Sequence, residues 1–267
     1  MKQLAKKVLP ASVQSSIRKM RARMKGQQPP ATHNSLSCLI AENEYGKYCV
    51  PHSSYHRPAA QKVLAGTVYE PDTIKFMRQH CQGGDVVHAG TYFGDFLPAL
   101  ADGCDQGRIV WAFEPNPENH QCASITLQLN EITNVQLTHA GLGAKAESLK
   151  IKTVDQYGQA LGGASEIVES EKATANEKFD SVNIVTIDDV IGSERHVSII
   201  QLDVEGHEKA ALIGAMQTIQ RCKPIIILEV LSRNDLFESQ WFKDNFLALG
   251  YQHAGKIHGN DIYQCDN

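Results

Sequence analysis

A mostly parallel α/β sheet wrapped by helices on both faces is the fold class this sequence predicts, and three stretches predict it. In the first, 84–96, Val86, Val87 and Ala89 end a short apolar run, and Gly90 and Gly94 bracket a turn. Phe96, Leu97, Ala99 and Leu100 then continue at helical spacing. Strand, glycine-bearing turn and helix in that order let backbone approach a ligand at a helix N-terminus. In the second, Trp111-Ala112-Phe113 runs into Glu114, Pro115 and Asn116, so the next strand ends on a carboxylate twenty residues after Gly94. An acid at that spacing suits a ribose, because its two oxygens can accept from two hydroxyls. In the third, a later apolar strand ends at Leu202 and delivers Asp203, Glu205, His207 and Glu208. Ligands of open α/β sheets sit at the carboxyl ends of the strands, where all three stretches converge in a Rossmann-like arrangement.

The elements follow in order from the start of the chain. Residues 1–25 hold eight basic side chains and no acid, with Leu4, Val8, Leu9, Val13, Ile17, Met20 and Met24 three to five positions apart. That spacing predicts an amphipathic helix interrupted at Pro10, suited to an anionic membrane, to its own domain or to a second subunit. A Gly- and Pro-bearing linker closes this first segment, 1–31. Residues 32–83 form a lead-in or cap region: strands at 37–40 and 48–50 around a turn at Glu44-Tyr45-Gly46, then a polar stretch with His52, Tyr55 and His56. Its helix is expected over 72–80, capped by Asp72 or Thr73.

Residues 84–267 form the ligand-binding domain. It opens with strand 85–89, helix 94–102, strand 108–113, helix 116–129 and strand 134–139, after which come Gly141 and Leu142. Extended segments at 148–153 and 181–186 flank a polar stretch, an antiparallel excursion or mobile loop placed to cover the site. Strand 197–202, a helix from Glu208 through Ile219, an almost wholly apolar strand at 224–230 and helix 236–249 follow. Strands near 251–255 and 260–265 complete a seven-stranded sheet with an antiparallel last strand.

Composition bounds the partners. A chain of 267 residues, 42% hydrophobic and 21% charged, can bury one sizeable core. Its seven cysteines are odd in number and scattered without a Cys-x-x-Cys, which argues against a disulfide framework or zinc site and for a reducing cytoplasm. No apolar run reaches membrane-span length, so the expected location is cytoplasmic, membrane-peripheral at most through residues 1–25. Beyond residue 25, 18 basic residues face 30 acidic ones, a net of −12 that argues against nucleic acid as a partner. The expected substrate is a small molecule or glycan, and the tail leaves a homo-oligomer open.

The glycine-bearing turn, the Phe113-Glu114-Pro115 strand end and, most specifically, the run from Asp203 to Glu208 resemble the FkbM family of S-adenosylmethionine-dependent methyltransferases. The resemblance covers 69–230. Two positions depart from the family pattern: His88 stands where an acid usually ends the first strand, and Thr91 replaces the usual alanine. The resemblance implies a class I methyltransferase fold, S-adenosyl-L-methionine as cofactor, and O-methylation of a hydroxyl on a sugar, glycolipid or other secondary metabolite. The cofactor site it implies comprises Glu70, His88, Gly90, Thr91, Tyr92, Gly94, Glu114, Pro115, Asn116, Gly141, Leu142 and Asp203. Glu70 enters through a Tyr-Glu-Pro before its helix, and Gly141-Leu142 through the adenine wall usual in this fold.

For the chemistry, His207 is the natural base for a hydroxyl proton, oriented by Glu205 or Glu208, with Asp203 beside the sulfonium and His88 as the second candidate base. A plain helix cap is the structural alternative for His207. A divalent ion shared by Asp203, Glu205 and His207 is another reading, but two-residue spacing on a loop does not assure convergence, and no metal is assigned. A nicotinamide-dependent oxidoreductase is disfavoured by the lack of Gly-x-Gly-x-x-Gly. A non-catalytic binding module on the same fold is raised by the lost acid at His88. The segments expected to face the acceptor, 36–66 and 147–186, carry no readable motif.

Overall fold

The computed structural model describes residues 36–168, 179–231 and 235–265. The basic tail and linker expected over 1–31, with their membrane and subunit contacts, lie outside the described residues. From Ser37 onward the lead-in belongs to the same unit as the sheet. It contains the hairpin β1 (Cys38–Asn43) and β2 (Gly46–Pro51), then helices α1 (Pro58–Leu64) and α2 (Pro71–His80). Neither Asp72 nor Thr73 caps α2. Glu70 takes the N-cap with φ +46°, Pro71 fills the first turn, and the Thr73 hydroxyl donates back to the Glu70 carboxylate at 3.0 Å.

The sheet proper begins with β3 (Asp85–Ala89), α3 (Leu97–Gly103), β4 (Val110–Phe113), α4 (Pro117–Leu129) and β5 (Val135–Thr138). Next comes an excursion of β6 (Gly141–Leu142), β7 (Glu147–Lys152), β8 (Glu166–Val168) and β9 (Phe179–Val185). It forms its own four-stranded sheet in the order β6-β9-β7-β8, with β7 antiparallel to both neighbours. Gly141-Leu142, expected from sequence just after the strand at 134–139, pairs with β9, in parallel. The chain returns through α5 (Ile187–Val190), β10 (Val197–Leu202), α6 (Glu208–Ile213), α7 (Met216–Cys222), β11 (Ile225–Glu229), α8 (Gln240–Asn245), β12 (Tyr251–Ile257) and β13 (Asn260–Cys265).

Seven strands stand in the order β5-β4-β3-β10-β11-β13-β12, and β13 alone runs against the rest. The direction of winding reverses between β3 and β10, which opens a crevice at their carboxyl ends. Alternation along the central strands builds a core on each face. Val87, Ile200 and Ile226 pack with Leu212, Ile219 and Phe242 on one side. Val86, Ile199 and Ile227 pack with Ile74, Met77, Leu97 and Leu100 on the other.

Two long helices expected from sequence are interrupted. The one expected from Glu208 through Ile219 breaks into α6 and α7 at Gly214, where a Cβ would lie 2.0 Å from the carbonyl oxygen of Gly143. Asp188 then caps α7, accepting from Gln217 N–H at 2.9 Å and Thr218 N–H at 2.8 Å. The helix expected over 236–249 is the short α8 between two 3-10 turns, Leu236–Glu238 and Leu247–Leu249.

At the amino edge of the sheet, Asp85 is fully buried and accepts from Arg195 Nε at 2.6 Å, Trp111 Nε1 at 2.8 Å and Ile109 N–H at 3.1 Å. Burial alone would raise this carboxyl, but the Arg195, Trp111 and Ile109 donors win and hold it below the usual carboxylate range. Among the described residues no helix is long and apolar enough to cross a membrane.

Candidate functional site

The crevice at the carboxyl ends of β3 and β10 holds two adjoining cavities. The first encloses about 700 Å³ of empty space and the second about 400 Å³, both open to solvent. Gly90, Gly163 and Asp203 line both, so they form one trough. Gly90 is what lets the two halves join. Its φ is +84°, and a Cβ there would stand 1.9 Å from the Asp203 carbonyl oxygen, so no larger residue fits while β3 and β10 stay paired.

The second cavity is walled by Glu114, Pro115, Gly141, Leu142 and Glu205, together with Ile167 of β8. Glu114 directly follows β4 and is 3% exposed. Its Oε2 accepts from Tyr92 N–H at 2.7 Å, and its Oε1 from Asn116 N–H at 2.8 Å and Asn119 Nδ2 at 3.4 Å. Burial pushes this carboxyl up to about 8, against the Asn116, Tyr92 and Asn119 donors that favour its anion. Oε1 already accepts twice, so Oε2 is the oxygen that keeps acceptor capacity for a ligand hydroxyl. Tyr92 is held at φ +52° by that bond and by its own hydroxyl, which lies 2.7 Å from Ser54 Oγ.

The first cavity takes Glu70, His88, Tyr92 and Asp203 from the expected set. Its wall is acidic. Burial, and secondarily Glu70, raises Asp95 to about 7. Asp203 is raised by burial first and then by Glu229, Glu205 and Glu70; Glu229 is raised by burial and Glu70. Glu205, facing the second cavity, is pushed up to about 7 by burial and then by Glu229. Arg57 is the cation in the first cavity's wall.

Four expected residues stand outside both cavity walls. Thr91 is buried, its hydroxyl 3.3 Å from the His88 carbonyl. Gly94 packs against Leu97 and Ala123. Asn116 caps α4, accepting from Glu118 N–H at 3.0 Å and Asn119 N–H at 3.3 Å, and its amide reaches Ser165 at 3.0 Å. His207 is turned toward Gly143, where its Nε2 lies 3.6 Å from the place of a Cβ. It occupies the N-cap of α6 but makes no side-chain capping bond. Glu205 at φ +53° and Gly206 at φ +100° lie between it and Asp203.

Sequence reasoning missed Arg57, Asp95, Gln201, Gly163 and Asn260, all in the first cavity's wall. Gln201 carried a signal, as the polar residue inside Ile199-Ile200-Gln201-Leu202. Arg57, Gly163 and Asn260 arrive from segments whose approach is set by tertiary structure.

Residues 88–253, more than half of the chain, match the family described as Methyltransferase FkbM domain. No curated protein matches the chain in sequence. Among solved structures, the chain is similar to the methyltransferase FkbM of Methylobacillus flagellatus KT, at 20% identity over 68% of this chain and 43% of that one, TM-score 0.46. It is similar to the tRNA (uracil-54, C5)-methyltransferase of Pyrococcus abyssi, at 11% identity over 85% of this chain and 43% of that one, TM-score 0.43. A SAM-dependent methyltransferase from Aquifex aeolicus aligns at 13% identity over 78% and 93%, TM-score 0.41. The chain therefore spans less than half the length of the first two structures.

Proposed function

The chain belongs to the FkbM family of S-adenosylmethionine-dependent methyltransferases, and from that premise we propose that it methylates a hydroxyl of a neutral acceptor, a sugar, glycolipid or other secondary metabolite. The observation that carries the reading is the joined trough at Gly90, with Glu114 at one end and the acidic wall at the other. The residues present fit the cofactor. Gly90 and Gly141 leave room that a Cβ would fill, the latter 2.6 Å from Ile167 Cδ1. Glu114 Oε2 retains an acceptor site for a ribose hydroxyl, and the carboxylates around Asp203 suit positive charge.

When bound, the cofactor supplies an electrophilic methyl group on a positively charged sulfur. The protein's part is to position an oxygen in line and to take its proton. The place of Asp203 in the wall of both cavities, where an acceptor and the cofactor would meet, supports a role as the proton acceptor. With the cofactor held between Glu114 and the acidic wall, an Asp203 carboxylate oxygen would take the acceptor's hydroxyl proton and pass it to water. His207, outside both walls, is the less supported base. An acidic wall favours a neutral polyol over a phosphate- or carboxylate-bearing acceptor.

The test is twofold. Calorimetric titration should give saturable binding of S-adenosylmethionine and S-adenosylhomocysteine and none of NAD. Isotope-labelled methyl transfer to neutral glycans and glycolipids should exceed transfer to total tRNA and rRNA. Preferential labelling of RNA would overturn the acceptor class, and binding of NAD alone would overturn the cofactor.

A further inference from the structure

Two buried polar atoms in the wall of the first cavity have no hydrogen-bond partner among the described residues: His88 Nε2 and Asn260 Oδ1. They are two separate features. β13, which carries Asn260, stands three strand positions from β3 in the sheet, roughly 14 Å at ordinary strand spacing, too far for one small group to use both. His88 is the better defined.

Its ring is 3% exposed and stacks on Phe96, centroids 5.3 Å apart and planes 5° from parallel, so it cannot turn freely. Its Nδ1 lies 2.5 Å from Oε1 of Gln201, its register partner on β10. A carboxamide oxygen only accepts, so Nδ1 carries the ring proton and Nε2 is left as a bare lone pair. Burial also pushes the imidazole down to about 4, which keeps the ring neutral near pH 7. A neutral ring with its acceptor nitrogen buried in a cavity wall calls for a donor.

We infer that His88 Nε2 accepts a hydrogen bond from the α-ammonium of the cofactor's methionine portion, and that Gln201 is the positioning residue that fixes the required tautomer. This rests on the cofactor reading above and settles what the departure at His88 does: a lone pair stands where a carboxylate was expected. The countercharge comes from the carboxyls of Glu70, Asp95 and Glu229, which line the same cavity. An acceptor hydroxyl is the weaker candidate, because a ring so reluctant to protonate makes a poor base. An ammonium needs only the lone pair.

The experiment compares S-adenosylhomocysteine with 5′-methylthioadenosine, which keeps the adenosine and thioether but lacks the amino acid end. His88→Leu should weaken S-adenosylhomocysteine binding roughly 5- to 100-fold while leaving methylthioadenosine within about twofold. Gln201→Leu should show the same selective loss to a smaller degree, and His88→Gln, which restores an acceptor oxygen, should recover part of the affinity. In wild-type protein, ¹⁵N NMR should report the Nδ1–H tautomer, with the Nε2 signal moving on addition of S-adenosylhomocysteine and not of methylthioadenosine. Equal losses for the two ligands, an unchanged S-adenosylhomocysteine affinity, or an Nε2–H tautomer would each overturn the assignment. Failure of wild-type protein to bind either ligand would instead sink the cofactor reading.

Discussion

Gly90→Ala tests the crevice at its tightest point. Gly90 sits at φ +84°, and its missing side chain would stand 1.9 Å from the carbonyl oxygen of Asp203. Strain from a left-handed backbone is worth about 1–2 kcal/mol for a residue with a Cβ. The clash adds an overpacking cost of about 1–3 kcal/mol, because Asp203 N–H is tied to the Ala89 carbonyl at 3.1 Å and cannot retreat alone. The expected loss is therefore about 2–5 kcal/mol. Gly83→Ala is the internal control: φ is +81° there, yet nothing lies within 4 Å of the added carbon, so it should show the backbone cost alone. Urea unfolding of both variants separates the two contributions. Since relief of the clash moves Asp203, Gly90→Ala should also weaken S-adenosylhomocysteine roughly tenfold or more, and Gly83→Ala should not. Equal unfolding losses with full ligand affinity in both would refute the close approach.

Other consequences are as direct. Glu114→Ala should weaken S-adenosylhomocysteine by roughly 30- to 150-fold. It should also cost about 2–4 kcal/mol in urea unfolding, because it strands the buried N–H groups of Tyr92 and Asn116. Once an acceptor is known, Asp203→Asn should cut turnover by roughly 10²- to 10⁴-fold and His207→Ala by less than about tenfold; the reverse order would return the base to His207. Asp95 and Glu205, raised to about 7, are partly protonated at pH 6 and ionised at pH 8, so S-adenosylmethionine should gain on S-adenosylhomocysteine as pH rises. The ratio of their dissociation constants should change by roughly tenfold, and a flat ratio would argue against an ionising wall. Arg195→Met should cost about 3–5 kcal/mol by leaving Asp85 buried without its partner. Because Asp85 is held low, that difference should be present above about pH 4 and shrink as pH falls further. Ligand affinity should be unchanged, since the pair stands at the opposite edge of the sheet.

Much of the sheet is legible in the chain because its strands obey one rule. Val86-Val87, Ile199-Ile200 and Ile226-Ile227 each bury neighbours on opposite faces, so apolar runs bounded by turn residues are enough to find them. The helix breaks are not legible, since the one at Gly214 depends on a backbone 71 positions away, at Gly143. The candidate site divides the same way. Gly90, Glu114 and Asp203 follow from where strands end. Arg57, Gly163 and Asn260 do not, because each reaches the trough on a segment placed by packing. His207, four positions from Asp203, lines neither cavity, and two consecutive residues of positive φ, Glu205 and Gly206, stand between them.

The acidic wall is the feature with most to say about the reaction as a whole. Glu70, Asp95, Asp203 and Glu229 line one cavity with Arg57 as the opposing charge, so the cluster resists full ionisation and several carboxyls are pushed upward. Folded protein then holds protons that the unfolded chain has released between about pH 4.5 and 7, and stability without ligand should fall as pH rises through that window. A cation entering the trough reverses the balance, because it favours the anions and discharges their protons. Methyl transfer removes one positive charge from the cofactor. On the proposed function, a wall of this charge holds the product less firmly than the cofactor, and this difference gives the site a reason to exchange one for the other. That asymmetry needs the carboxyls near Asp203 and would vanish in a neutral wall, so replacing them with amides tests whether the cluster serves the chemistry or only the fold.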